Sequence, residues 1–310
     1  MDTTSHKTPL LERSGFNKLL ILTAAATWGL SFVVMKDLVD KLPVFYLLSV
    51  RYTLATLVMV WASRRKLASA LRSTRTIKLG LLMGVLNFAA YAVQTMGLSL
   101  TTPGKNSFFT GCYCVMVPFA VWAIVHTRPT IRHVVAGVIC VAGIGLIAAD
   151  GEVGLNAGDL LTLVGAVFYA IQFACLNRWG SGADSVVVTT LEFIVMTVAS
   201  VAITLVFEQG YVPTMPTLAD VGALAFLVLV CSCFDFWAFN HGMMRVDPAE
   251  GSILSALEAP FGVAASAMLY GERVTLRLLL GFTLIFVAIV VSEAGGELLR
   301  RIKGNTLDVA

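Results

Sequence analysis

The chain has 310 residues, of which 57% are hydrophobic and 13% are charged. Soluble domains average about 45–50% apolar and about 25% charged residues, so the composition excludes a soluble enzyme, a disordered chain and a secreted disulfide-rich protein. The 22 Lys and Arg nearly balance the 19 Asp and Glu, and nothing in this balance indicates nucleic-acid binding. The composition therefore predicts a membrane protein that crosses the bilayer several times.

Ten apolar runs have the length of a membrane-spanning helix, about 20 residues. Strands of a membrane barrel would instead alternate in polarity over about ten residues, so the predicted fold class is all-α integral membrane. The predicted spans, numbered 1 to 10 in chain order, are 18–36, 44–63, 77–98, 105–126, 132–149, 158–177, 186–207, 219–240, 249–271 and 275–296. The connections are too short for a soluble motor domain, which excludes an ATP-driven pump within the chain.

The distribution of Lys and Arg predicts the topology. They concentrate before span 1, after span 10, and between spans 2 and 3, 4 and 5, 6 and 7, and 8 and 9. Because basic loops stay in the cytoplasm, we expect cytoplasmic tails at 1–17 and 297–310 and a multi-pass protein of the cell inner (plasma) membrane. The six cysteines fall within predicted spans, and we interpret them as packing residues. We expect no cofactor and no metal.

The two halves of the chain repeat each other. The aligned pairs, 141 or 142 residues apart, are Trp28 with Tyr169, Ser31 with Gln172, Phe32 with Phe173, Arg51 with Glu192, and Pro118 with Pro260. Five helices per half is an odd number, so the second half must enter the membrane from the opposite side. We therefore predict two inverted five-helix repeats, 18–150 and 151–296. Inverted repeats are common in secondary transporters, which bind solute between the halves near the midplane of the bilayer.

Several short motifs carry a family resemblance. They are Trp28-Gly29-Leu30-Ser31-Phe32, Thr101-Thr102-Pro103-Gly104-Lys105, Phe109-Thr110-Gly111-x-Tyr113, Ser255-Ala256-Leu257-Glu258-Ala259-Pro260 and Gly271-Glu272-Arg273. With them the chain resembles the drug/metabolite transporter superfamily, specifically the ten-helix EamA type. It departs from the family pattern at Phe168-Tyr169-Ala170, where a Trp-containing pair is common, and at Ala259, which separates Glu258 from Pro260. The resemblance implies export, or sometimes uptake, of small metabolites such as amino acids.

Polar and aromatic side chains in the middle of the spans are the candidate substrate-binding residues. Asn87, Tyr91 and Gln94 follow the spacing i, i+4, i+7 and share one face of span 3, where they could line a solute path or bond neighbouring helices. If the repeats pack symmetrically, Trp28 and Tyr169 flank a central cavity, and their ring faces suit organic cations or aromatic solutes. The full predicted set is Trp28, Ser31, Asn87, Tyr91, Gln94, Tyr113, Tyr169 and Gln172.

Three further ionisable residues are candidates for coupling or gating. Glu258, in the middle of span 9, could carry a proton or could serve a structural role beside the kink expected at Pro260. Asp235, towards the cytoplasmic end of span 8, could gate the path or snorkel to the interface. Lys105 opens span 4 and could guard the outer mouth or be an ordinary interfacial lysine. Arg51 lies within span 2, where its long stem could reach the lipid headgroups.

The function predicted from these features is secondary transport of small organic metabolites. We expect export of amino acids or related compounds by alternating access, with a small-molecule substrate and the lipid bilayer as partners, no nucleic acid, and a monomer sufficient for transport. An uptake permease for a vitamin or nucleoside is the alternative. A membrane-embedded enzyme is a distant one, because His126 and His133 have no acid in a fixed pattern nearby. A non-transporting receptor or scaffold would leave the polar stripe purely structural.

Overall fold

The structure, a computed structural model, describes residues 14–70, 72–148, 154–211, 216–246 and 248–307. Residues 1–13 of the predicted N-terminal tail and residues 308–310 of the predicted C-terminal tail lie outside the described part. Within that part the chain is helical and contains no strand. The all-α prediction is therefore confirmed.

The helices follow the ten predicted spans in order. Spans 1 to 3 are Ser14–Val39, Val44–Ala70 and Thr74–Leu100; span 4 consists of Pro103–Gly111 and Tyr113–Val125; spans 5 to 7 are Ile131–Ala148, Ala157–Trp179 and Ser185–Phe207. Span 8 consists of Leu218–Phe226, Leu227–Phe234 and Asp235–Met243, span 9 of Pro248–Ala256, Glu258–Ala265 and Ser266–Tyr270, and span 10 is Leu276–Leu307. Eight of these are long and apolar enough to cross a membrane, and Ile131–Ile147 and Leu276–Ser292 are shorter apolar helices in the positions of spans 5 and 10.

Local sequence signals explain where the spans begin and end. Span 6 starts with a capping box, in which Asn156 and Asp159 bond each other's main-chain N–H groups. Span 4 starts at Pro103, which has no N–H to satisfy at the first helical position. It ends at His126, which adopts the left-handed conformation with a φ of 61°. These signals set the short connections between the spans.

Small residues let particular helix pairs approach closely. A Cβ atom added to Gly143 in span 5 would lie 2.8 Å from the carbonyl oxygen of Gly281 in span 10, and one added to Gly281 would lie 2.9 Å from the carbonyl oxygen of Gly143. Between spans 2 and 7, the hydroxyls of Thr56 and Thr197 share a hydrogen bond of 2.8 Å and are 141 residues apart. Thr56 and Thr197 occupy matching positions of the two halves, and the glycine contact joins the matching spans 5 and 10.

Spans 4 and 9 are both broken, at positions 145 residues apart. In span 4 the N–H of Cys112 bonds the carbonyl of Phe109, and in span 9 the N–H of Leu257 bonds the carbonyl of Leu254, at 3.3 and 3.4 Å. Each break is thus one tightened turn that replaces the normal α-helical bond. Pro260 accounts for the second break because its ring excludes the bond to the carbonyl of Ala256. The kink expected near Pro260 is present, whereas the break at Cys112 was not predicted.

One end of span 4 is tied to the connection between spans 9 and 10. The carboxylate of Glu272 accepts hydrogen bonds from the N–H of Gly104 at 2.9 Å and from the hydroxyl of Thr102 at 2.5 Å. An acidic group at the start of a helix is stabilised by the unpaired N–H groups there. This contact joins the two broken spans across the junction between the halves.

The second half differs from the first in containing π-helical turns. Within the described residues, these turns occur at Leu227–Phe234 in span 8 and Ser266–Tyr270 in span 9. The six cysteines are all buried and form no disulfide, and the Sγ atoms of Cys112 and Cys140 lie 3.7 Å apart between spans 4 and 5. The described residues contain no group of three or more His, Cys, Asp or Glu placed to hold a metal ion.

Candidate functional site

A cavity of about 60 Å³ lies where the two halves meet, about halfway along the spans. It has room for a few water molecules or a small solute. All eight predicted substrate-binding residues line it: Trp28, Ser31, Asn87, Tyr91, Gln94, Tyr113, Tyr169 and Gln172. Residues that flank both helix breaks also line it, namely Thr110 and Tyr113 in span 4 and Glu258 in span 9.

The wall of the cavity contains matching positions from the two halves. The pairs Trp28 with Tyr169, Ser31 with Gln172 and Phe32 with Phe173 all contribute to it. Spans 1 and 6 therefore present equivalent faces to the same space. The alignment of the halves predicted this convergence from the sequence.

Aromatic rings form a packed wall around the cavity. The ring of Trp28 lies 5.6 Å from that of Phe236 and 5.3 Å from that of Phe239, and Tyr91 meets Tyr169 edge-on at 5.7 Å. Ring pairs at these distances stabilise one another. The indole N–H of Trp28 also donates to the carbonyl of Cys231 at 2.9 Å, which joins span 1 to the π-helical turn of span 8. The rings are thus held in place before any solute binds.

Gln94 is the centre of a hydrogen-bond network between spans 3, 4 and 6. Its Nε2 donates to Thr110 at 2.8 Å, and its Oε1 accepts from the hydroxyl of Tyr169 at 2.9 Å. Its main-chain carbonyl accepts from Asn106 Nδ2 at 3.3 Å. Gln94 therefore lines the cavity and also bonds neighbouring helices, so the two alternatives expected for this stripe hold together at this residue.

Two charged side chains lie in the wall. Arg51 is 2% exposed, and its Nε donates to the hydroxyl of Ser232 at 2.9 Å. The expectation that Arg51 reaches the headgroups is therefore wrong. Glu258 is 5% exposed, and its Oε1 has no hydrogen-bond partner among the described residues. An ionisable residue within a span usually marks a functional site, and this general signal identifies Arg51, which the predicted set omitted.

Asp235 and Lys105 are absent from the wall of the cavity. Asp235 is fully buried, and its Oδ2 accepts from the hydroxyl of Thr27 at 2.5 Å. Lys105 is 2% exposed, and its Nζ lies 2.5 Å from Asp159 Oδ2 and 2.9 Å from the carbonyl of Gly154. The interfacial alternative is wrong for both residues, because neither side chain reaches the surface. Partners distant in the sequence hold them instead.

The helical fold and the cavity at the junction of the two halves define a membrane protein of the transporter class. The comparison with known families makes this specific: the profile of the EamA-like transporter family matches residues 16–149 and again residues 156–293. The chain therefore belongs to the EamA-like transporter family, and the predicted resemblance is confirmed.

Individual relatives agree with this assignment. An uncharacterized transporter of Archaeoglobus fulgidus is 24% identical over 271 residues, covering 86% of this chain and 82% of the relative. The uncharacterized transporter YvbV of Bacillus subtilis is 22% identical, covering 87% of this chain and 89% of the relative. A solved crystal structure with 18% identity superposes with a TM-score of 0.67 over 93% of this chain and 99% of that chain, which shows a common fold.

Proposed function

We propose that the chain is a secondary transporter that exports small organic metabolites, amino acids or related compounds, by alternating access between two inverted repeats. The observation that carries this proposal is the cavity where the halves meet, with three repeat-related residue pairs in its wall. A site shared by two similar halves can be exposed to either side of the membrane by changes in those halves. Family membership supports the transport role, and the resemblance, which implies export or sometimes uptake, is the basis for proposing export.

The inverted relation of the halves is supported by three features. Thr56 meets its counterpart Thr197, and span 5 packs on the matching span 10 through Gly143 and Gly281. Spans 4 and 9, which match each other in the two halves, are both broken, at Cys112 and at Leu257. A broken helix beside a binding site is a natural hinge, because the turn carries fewer α-helical hydrogen bonds. We propose that these two turns flex as the cavity opens.

The predicted residues take distinct roles in this scheme. The rings of Trp28 and Tyr169 hold the apolar part of the solute, and the amides of Asn87 and Gln172 bond its polar groups. Glu258 serves as the coupling group, because it is the acid in the wall of the cavity. The Lys105–Asp159 pair joins spans 4 and 6 on the predicted outer side, where it can control access. Both termini are cytoplasmic in this orientation, and the protein works as a monomer in the inner membrane.

Growth under toxic solutes tests the proposal. The protein is overexpressed in bacteria, and growth is measured across a panel of toxic amino acids and their analogues. We expect resistance to a subset of the panel and loss of that resistance in Trp28→Ala. The matched control is Trp61→Ala, because Trp61 is 67% exposed and lies outside the cavity wall. Both variants are checked for their amount in the membrane.

Other outcomes would contradict parts of the proposal. Unchanged growth across the panel, with protein confirmed in the membrane, argues against export and favours an uptake permease, which accumulation of radiolabelled vitamins or nucleosides would reveal. If purified protein in liposomes moves none of these solutes under any imposed gradient, transport itself is contradicted. Equal loss of resistance in Trp28→Ala and Trp61→Ala would show that the loss does not depend on the cavity.

A further inference from the structure

Arg51 is a buried cation without a carboxylate partner. The ion pairs of the described residues do not include it, and no described Asp or Glu oxygen lies within 4.0 Å of its nitrogens. The guanidinium group keeps its charge in proteins under all ordinary conditions. A buried charge without a counter-ion is strongly unfavourable. The cavity that Arg51 lines is therefore a place where a negative group would be stabilised.

The hydrogen-bond donors of Arg51 are only partly used. Nε donates to Ser232, and Nη1 contacts the sulfur of Met35 at 3.8 Å, which is a weak acceptor. Nη2 is buried and has no hydrogen-bond partner among the described residues. An unsatisfied buried donor destabilises the protein until an acceptor reaches it. The guanidinium group thus keeps an unused donor within the wall of the cavity.

The surroundings of Arg51 hold this edge in position. The hydroxyl of Ser232 donates to the carbonyl of Leu227 at 2.8 Å, which leaves its oxygen lone pairs to accept from Arg51. The guanidinium carbon lies 5.4 Å from the ring centre of Tyr52 and 5.5 Å from that of Tyr91. Aromatic faces attract such a cation and orient its plane. The donor edge is therefore preorganised.

Three buried acids lie in the spans around the cavity, Asp235, Glu192 and Glu258, and each has one carboxylate oxygen without a hydrogen-bond partner among the described residues. Asp235 is close enough for its charge to interact with that of Arg51, but its Oδ2 accepts from Thr27 and it does not line the cavity. Glu192, the residue that matches Arg51 in the second half, accepts from Asn240 at 3.1 Å. None of the three acids forms an ion pair with Arg51. Arg51 therefore lines the cavity without an ion pair among the described contacts.

We propose that Arg51 binds a carboxylate of the transported solute, so that the substrates are organic acids or zwitterions rather than simple cations or neutral molecules. Arginine forms paired, charge-assisted hydrogen bonds with carboxylates in a planar geometry that an amide or amine cannot reproduce. The inference rests on the proposed transport function and makes it more specific. Of the two solute classes expected to suit the aromatic wall, organic cations and aromatic solutes, it favours aromatic solutes that carry a carboxylate.

Binding to matched sets of solutes tests this assignment. Each set contains an amino acid, its amide, the deaminated acid and the decarboxylated amine, built on alanine, threonine and phenylalanine. Affinity is measured by titration calorimetry on wild-type protein and on Arg51→Gln, Arg51→Lys and Arg64→Gln at constant chloride concentration. Arg64→Gln is the matched control, since Arg64 is exposed and stacks on Trp61 outside the cavity.

We expect wild-type protein to bind the carboxylates of at least one set about tenfold to a hundredfold more tightly than the amide and the amine. Arg51→Gln should lose that preference, Arg51→Lys should keep part of it, and Arg64→Gln should keep all of it. Equal binding of acid and amide by wild type, an unchanged preference in Arg51→Gln, or no carboxylate binding at all would overturn the proposal. If Arg51→Gln fails to fold, the affinities of wild-type protein for the acid, the amide and the amine still test whether the site prefers a carboxylate.

Transport in liposomes separates this inference from the proposed function. If the wild-type protein carries amines and amides as fast as carboxylates, the role of Arg51 is overturned while transport stands. If carboxylates bind through Arg51 but no solute crosses the membrane, transport is overturned while the anion site stands. The two measurements on the same preparation therefore identify which proposal has failed.

Discussion

Arg51 and Lys105 are two buried cations in the first half of the chain, and each is 2% exposed. The ammonium of Lys105 lies 2.5 Å from a carboxylate oxygen of Asp159, whereas Arg51 has no carboxylate within ion-pair distance among the described residues. Asp159 also accepts a hydrogen bond from Thr101 at 2.5 Å. The two cations are thus equally buried but differ in their partners. Lys105 forms an ion pair with Asp159 of the chain, whereas we propose that the partner of Arg51 is the carboxylate of a solute.

The largest expected effect is the loss of stability on removing Lys105. Lys105→Met leaves Asp159 as a lone buried charge, so we expect the free energy of unfolding to fall by about 3–5 kcal/mol. Arg51→Met removes a buried charge that has no carboxylate partner, so we expect the variant to be at least as stable as the wild type. Denaturant unfolding of both variants in detergent measures this contrast.

Asp159→Asn combined with Lys105→Met provides the control for that contrast. The double variant removes both charges, so it should regain more than half of the stability that Lys105→Met loses. Equal destabilisation by Lys105→Met and Arg51→Met would show that both cations are structural. It would contradict the proposed difference between the two residues.

The next effect concerns two glutamines of the cavity wall. Gln94 bonds Thr110 and Tyr169, whereas no described residue forms a hydrogen bond with the side chain of Gln172. Gln94→Ala should therefore lower both transport and stability, the latter by about 1–2 kcal/mol because its partners lose their bonds. Gln172→Ala should impair transport at nearly wild-type stability. Radiolabel flux in liposomes measures transport, and thermal melting measures stability. Identical melting temperatures for the two variants would contradict the predicted difference between Gln94 and Gln172.

An exposed ion pair should contribute less than the buried one. Partial burial acts to raise the pKa of Asp184, but its hydrogen bond with Lys66 and the N–H groups of Val186 and Val187 outweigh this and leave the pKa below its usual value of 3.8. A carboxyl whose pKa is lower in the folded than in the unfolded protein adds stability while it is ionised. This stability is lost as the pH falls and the carboxyl becomes protonated. Asp184→Asn should therefore lose up to about 1 kcal/mol at pH 7 and progressively less as the pH falls and the carboxyl becomes protonated. Melting curves of wild type and Asp184→Asn, recorded from pH 7 down to acidic pH, measure this stability difference. A difference that grows as the pH falls would contradict the prediction.

The smallest effect is expected at the contact between spans 2 and 7. Thr56→Val removes the hydrogen bond to Thr197, and such bonds between membrane helices contribute about 0.6 kcal/mol. Thr197→Val should have the same effect, and the double variant should lose no more than either single one. A full double-mutant cycle measures this coupling, and simple addition of the two losses would mean that the hydroxyls act independently.

The sequence was sufficient to predict the fold because each span is one local apolar run of bilayer length. It also placed eight residues in the cavity wall, since the alignment of the halves brings Trp28 and Tyr169 to equivalent faces. It failed for Lys105 and Asp235, whose partners Asp159 and Thr27 are remote in the chain. Position along a span indicates depth in the membrane but does not reveal a partner on another helix.

The break in span 4 and the π-helical turns lacked a strong local signal. Pro260 predicts the kink of span 9, but Pro118 follows Cys112 by six residues and its ring acts on the carbonyl of Cys114. The π-helical turn of span 8 contains no proline or glycine. Packing between spans sets these features, and only the assembled structure contains that information.

The contact between Thr56 and Thr197 has a consequence for spectroscopy. When two end states of a transporter differ by an exchange of conformation between matching halves, the distance between any residue and its counterpart is the same in both states. Spin labels or fluorophores attached at counterpart positions, such as 28 with 169, would therefore give one unchanging distance however fast the protein turned over. Labels at positions that are not counterparts would report the motion, and comparing the two kinds of pair would measure how closely the halves exchange roles.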